Sequence, residues 1–154
     1  MSPKEYLQQA YKIDQKIKLN KDKLKKMRSQ LYGKSINYES DGSQHTPSGN
    51  STEATIVRVM EYEEQINAEI DKLISKRLEI EQVINAVPDD VQREILTRRF
   101  LLYQEFESHY DKNAEKHIVG IDEEIGYSAR QMYRLYNDGL KAVRKILKDV
   151  IECQ

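Results

Sequence analysis

Arg130, Tyr133, Arg134 and Asn137 fall in one short run, Ser128-Ala-Arg-Gln-Met-Tyr-Arg-Leu-Tyr136 and the residue after it. The chemistry these types can do is recognition. A guanidinium forks onto guanine, a carboxamide forks onto adenine, and a tyrosine meets a phosphate or a thymine methyl. Ser128 can cap a helix that starts here, and Gln131, three residues later, completes a capping box. Lys141, Arg144, Lys145 and Lys148 continue the positive charge, so residues 128–148 carry six basic side chains against one acid, Asp138. Met132, Leu135, Leu140 and Val143 form an apolar stripe on the other side. Ser128, Arg130, Gln131, Tyr133, Arg134, Asn137, Lys141, Arg144 and Lys145 are therefore the candidate DNA contacts. The plainer alternative is a solvated face of an ordinary amphipathic helix.

The element that must position this helix lies just upstream. Ile118, Ile121 and Ile125 recur at helical spacing. Gly126 follows where a helix end tolerates a left-handed residue. A short helix, a glycine turn and a second helix make up a helix-turn-helix, whose second helix enters the DNA major groove.

Other chemistries find little support. There is no glycine-rich phosphate loop, no Cys/His ligand cluster and no nucleophile beside a base, so the chain does not read as an enzyme. His45 has no nearby ligand partner. His109 and His117, even with Glu105 or Glu115, read as surface residues, so no metal or cofactor is expected. Cys153, the single cysteine, reads as a free thiol in a reducing cytoplasm. No signal peptide and no apolar run of membrane length are apparent, so a cytoplasmic protein with no membrane partner is expected.

Composition bounds the fold. Charged residues make up 33% of the chain, with only 6 Gly and 3 Pro in 154 residues, which suits extended helices. The net charge of −1 conceals blocks: residues 1–34 carry ten Lys/Arg against three acids, and residues 53–87 carry four against eight. Ser2-Pro3-Lys4-Glu5 opens a first helix. In it Tyr6, Ala10, Ile13, Ile17, Asn20, Leu24, Met27 and Leu31 step by fours and threes as a coiled-coil seam. Residues 33–51 read as a long loop, rich in Ser, Gly, Asn, Asp and Pro. A second seam runs through Ile56, Val59, Glu63, Ile66, Ile70, Leu73, Arg77, Ile80, Ile84 and Val87, and Pro88 closes it. A symmetric loop would pair the seams antiparallel with Asn20 near Glu63. A third helix is expected from Asp89 to about Tyr103, with Arg93, Arg98 and Arg99 as its cations. Residues 104–116 read as a weak helical extension, with a turn at Asp111-Lys-Asn113. The fold class is all-α: residues 1–87 form an antiparallel coiled-coil hairpin, and residues 88–154 form a helix-turn-helix domain.

Taken together, these pieces resemble a known family. Lys4-Glu-Tyr-Leu7, Ile13-Asp14, Ile70-Asp-Lys-Leu73, Arg93-Glu-Ile-Leu-Thr-Arg-Arg-Phe100 and Ile125-Gly-Tyr-Ser-Ala-Arg-Gln-Met-Tyr-Arg-Leu-Tyr136 with Leu140 carry the resemblance. It is to the small phage-encoded late-transcription regulators of Gram-positive hosts, the ArpU/RinA-like group, whose C-terminal part is similar to region four of sigma factors. The resemblance implies a protein of a bacteriophage, prophage, pathogenicity island or other mobile element. Such a protein activates late packaging and structural genes by binding double-stranded promoter DNA, with host RNA polymerase as a second partner. The two-seam pattern itself allows a homodimer through the coiled coil. The chain departs from the family in a longer segment between Leu101 and His117. It also has Ile118 where a tryptophan is usual and Asp122 where a small residue is usual. Two further readings come from other classes: a small terminase-like DNA-packaging subunit, and an interaction module that binds polymerase through the lysines of the first helix.

Overall fold

The computed structural model describes residues 1–34 and 49–152, and the protein is mostly helical. Two long helices come first, α1 (Pro3–Lys34) and α2 (Gly49–Asn85). They are followed by α3 (Asp90–Phe100), a two-stranded sheet of β1 (His109–Asp111) and β2 (Lys116–Ile118), then α4 (Ile121–Ile125) and α5 (Ala129–Glu152). The expected loop at 33–51 lies outside the described residues except at its ends, where helix reaches Lys34 and resumes at Gly49. His45 and Cys153 also lie outside them. No helix among the described residues is long and apolar enough to cross a membrane.

The chain divides into two compact units. One spans residues 14–75. In it Leu24 of α1 and Ile66 and Ile70 of α2 form a buried cluster, with Ile17 and Tyr62 packed against it. Arg28 Nε reaches Glu63 Oε1 at 2.7 Å. Glu63 thus meets Arg28, not Asn20, and the expected register is corrected by about two helical turns. The apolar cluster and this ion pair together set the alignment. Asn20 is nevertheless buried, 3% exposed, with its Oδ1 3.3 Å from Lys23 Nζ and its Nδ2 without a partner among the described residues.

The other unit joins residues 1–13 to residues 76–154. Ser2 and Glu5 open α1 with a reciprocal capping box: Glu5 N donates to Ser2 Oγ and Ser2 N to Glu5 Oε2. The core of this unit takes Leu7 and Ala10 from α1, Ile80 and Ile84 from α2, and Ile95, Leu96 and Phe100 from α3. Ile121 of α4 and Met132, Tyr136 and Val143 of α5 complete it. Asp89 caps α3 by accepting from Gln92 N at 2.8 Å. Arg93 donates to the Val87 carbonyl at 3.0 Å, satisfying backbone at the end of α2. Helices α3 and α5 cross at Gly139, where an added Cβ would sit 3.2 Å from Leu96 Cδ1.

Helix α3 stops at Phe100, short of the expected Tyr103, and Tyr103 turns the chain with φ 58°. The helical reading of 104–116 is corrected as well. An extended segment leads into an antiparallel hairpin with His109 opposite Ile118 and Asp111 opposite Lys116. The turn read at Asp111-Lys-Asn113 is present. Asp111 Oδ1 accepts from Asn113 N and Ala114 N, and Glu115 takes φ 50°. Phe106 does not extend a helix stripe. It packs on Tyr133 and Tyr136 of α5, with centroids 5.1 and 4.9 Å away. Ile118 belongs to β2, so the short helix keeps only Ile121 and Ile125 of the three isoleucines.

Candidate nucleic-acid interface

Helix α4 ends as its sequence requires. Gly126 sits at φ 69°, where its N–H bonds to Glu123 O and the Tyr127 N–H bonds to Asp122 O, a Schellman pairing. Tyr127 and Ser128 make the turn. Ser128 Oγ accepts from Gln131 N at 3.3 Å, and α5 begins.

Along α5 the two faces separate cleanly. Met132, Tyr136, Gly139 and Val143 are buried. Ser128, Arg130, Gln131, Tyr133, Arg134, Asn137, Lys141, Arg144 and Lys145 are all exposed. The inward stripe differs from the expected one by Tyr136, which is 8% exposed and stacks on Phe100 at 6.2 Å; Leu135 and Leu140 are only half-buried. Burial raises the Tyr136 hydroxyl above its ordinary pKa, while the nearby Arg99 pulls the other way. Arg130 and Arg134 are exposed and form no salt bridge among the described residues, although the charge of Arg134 is felt at the Asp138 carboxyl. Lys141 is held by Asp138 at 2.8 Å, and this hydrogen bond leads in lowering the Asp138 carboxyl.

Tyr133 is bound to a distant segment of the chain. Its hydroxyl donates to Glu107 Oε1 at 3.0 Å, and its ring rests on Phe106. Partial burial, then the bond to Glu107, raises its pKa. Tyr133 is therefore committed to the segment before β1. That segment is fixed from several sides. Glu105 O accepts from Ile121 N at 2.9 Å and Phe106 O from Asp122 N at 3.1 Å. Arg99 lies 4.5 Å over the Phe106 ring and donates to Gln104 O. Asp122 Oδ1 accepts from Ser108 N and Ser108 Oγ, both at 3.0 Å, and from Glu123 N at 2.8 Å. Gly120 N donates to Ser108 Oγ at 2.8 Å. Asp122 thus ties the segment before β1 to the start of α4.

The sequence reading missed Glu107, Phe106 and Arg99 as neighbours of this face. Twenty-six positions separate Glu107 from Tyr133, and no periodicity links them. The one signal in the sequence was the long segment between Leu101 and His117. The arginines of α3 are structural. Arg98 reaches Glu94 at 2.8 Å and Glu124 at 3.4 Å, joining α3 to α4. His117 Nε2 lies 2.8 Å from Glu123 Oε2 and holds that carboxyl below its ordinary pKa, while His109 faces Glu105 at 3.3 Å. No metal-ligand grouping occurs among the described residues. The arrangement offers a cation-bearing helix whose exposed side chains can donate and accept hydrogen bonds. Comparisons with protein-family models, with curated proteins and with solved structures find no match to this chain.

Proposed function

We propose that this protein is a sequence-specific DNA-binding transcription activator that reads promoter DNA with α5. In this reading residues 1–87 are an antiparallel coiled-coil hairpin, and residues 88–154 are a helix-turn-helix domain like region four of sigma factors. The resemblance to the ArpU/RinA-like regulators extends the proposal to late genes of a phage or mobile element in a bacterial cytoplasm. Host RNA polymerase and a second copy of the chain are the proposed protein partners.

One observation carries the proposal. Arg130, Arg134 and Asn137 are exposed on the first turns of α5, with no salt bridge to either arginine among the described residues, while Met132 and Tyr136 fix the opposite side in the core. A rigid rod with exposed guanidiniums at its entry end is what direct readout of guanine requires. The test is binding to the element's own late promoter at two salt concentrations. Arg130→Ala and Arg134→Ala should each weaken the specific site by about 1–3 kcal/mol, with little effect on random DNA beyond the lost charge. Lys145→Ala should weaken all sequences alike and lower the salt slope by about 0.9. Unchanged promoter binding in the double arginine variant would place the interface elsewhere.

A further inference from the structure

Besides Asp138, which is paired with Lys141, an acid with no salt bridge among the described residues borders the proposed groove-facing surface. Glu107 is exposed beside the start of α5, and Tyr133 holds its Oε1 at 3.0 Å. Phosphate oxygens repel a carboxylate, so an acid on a surface that meets a duplex costs affinity for every sequence. The cost is offset only if the carboxylate meets a donor. In the major groove the donors are the exocyclic amines of cytosine and adenine. Adenine carries its N7 acceptor beside the amine, which opposes a second carboxylate oxygen. Cytosine offers the amine with no acceptor of its own.

We infer that Glu107 is a specificity-determining residue that accepts the N4 amine of a cytosine next to the bases read by α5, with Tyr133 as its positioning residue. This rests on α5 being the groove-reading helix proposed above. The geometry favours a reader over a stray surface acid, because everything around the side chain is fixed before DNA arrives. The flanking carbonyls of Glu105 and Phe106 are tied to the first residues of α4, and Ser108 N is tied to Asp122. At Gly120 a Cβ would overlap the Glu107 carbonyl carbon, so the main chain of Glu107 rests directly on another stretch of backbone. Phe106 is wedged between Arg99, Tyr133 and Tyr136. Of Glu105 to Ser108, Glu107 is the residue whose side chain is turned to α5 with a carboxylate oxygen still open.

Selection of binding sites from random DNA tests this with the full chain, its Glu107→Gln and Tyr133→Phe variants, and an Arg130→Ala/Arg134→Ala control. The wild type should fix a cytosine at one position. Glu107→Gln should lose tenfold or more of the preference there, leave the other positions unchanged, and bind random DNA more tightly because a negative charge is gone. Tyr133→Phe keeps the ring on Phe106 and should weaken the preference several-fold at that same position alone. An unchanged cytosine preference in Glu107→Gln, with a consensus that collapses in the arginine control, would overturn the role of Glu107 and leave α5 as the reader. A wild type that selects no consensus would overturn both.

Discussion

Gly120 has no room for a side chain. Its φ of −90° is open to any residue, so backbone freedom is not the reason for glycine here. The reason is close approach: an added Cβ would overlap the Glu107 carbonyl carbon and lie 2.5 Å from Ser108 N. Ser108 N is bonded to Asp122 Oδ1, and the Phe106 carbonyl just before Glu107 accepts from Asp122 N, so this stretch is held in place. Gly120→Ala should therefore destabilise the unit by about 1–3 kcal/mol, read as a lower urea midpoint. Asp122 beside it makes a second prediction. Burial works to raise its pKa, but hydrogen bonds from Glu123 N, Ser108 Oγ and Ser108 N outweigh that and leave it below the ordinary 3.8. A carboxyl with a depressed folded pKa adds stability that is complete above 3.8 and fades as pH falls through the folded value. Asp122→Asn should thus lose stability near neutrality and show a flatter decline in acid than the wild type. Parallel curves for the two proteins would show that the Ser108 contacts contribute nothing.

At the scale of elements, the long helices, α3, the Gly126 turn and α5 were legible because each carries its signal locally: periodic apolar residues, a capping serine or aspartate, a glycine at the stop. What failed was what depends on distant partners. The β-hairpin was hidden because Phe106 and Tyr110 have helical spacing, and what decides the matter is the seat for Phe106 on α5. Tyr136 was missed from the inward stripe for the same reason, since its ring is buried by Phe100 and Phe106. The pairing register differs because it is set by the Leu24, Ile66 and Ile70 cluster and by Arg28 with Glu63, not by loop symmetry. Asn20 remains the one buried polar residue of the described core, and with an unsatisfied Nδ2 it weakens the pairing it belongs to. Asn20→Leu should raise stability by about 1–2 kcal/mol in urea unfolding. A polar seam residue also disfavours wrong alignments, so the gain should come with a less uniform oligomeric state. If the leucine variant unfolds earlier, Asn20 has a partner in solution that offsets its burial.

For the molecule as a whole, a net charge of −1 describes no part of the surface. Residues 104–126 hold seven acids and two lysines, whereas 128–148 hold six cations and one acid. Polyanions are thus drawn to α5 and turned away from α4 and the hairpin, which orients approach before any contact forms. Sedimentation of the intact chain separates the proposal from its packaging rival. An activator of the proposed kind should run as a monomer or dimer, and a closed ring of many subunits would favour DNA packaging.

Because His109 faces Ile118 across the ladder, the chain leaves the helical domain and returns to it through the same doorway. Length can be added or removed beyond that doorway without shifting α3 or α4. The interval between them is therefore a natural splice point. A dye or small tag grafted at Ala114 would be carried by the protein while the helices behind it stay where they are.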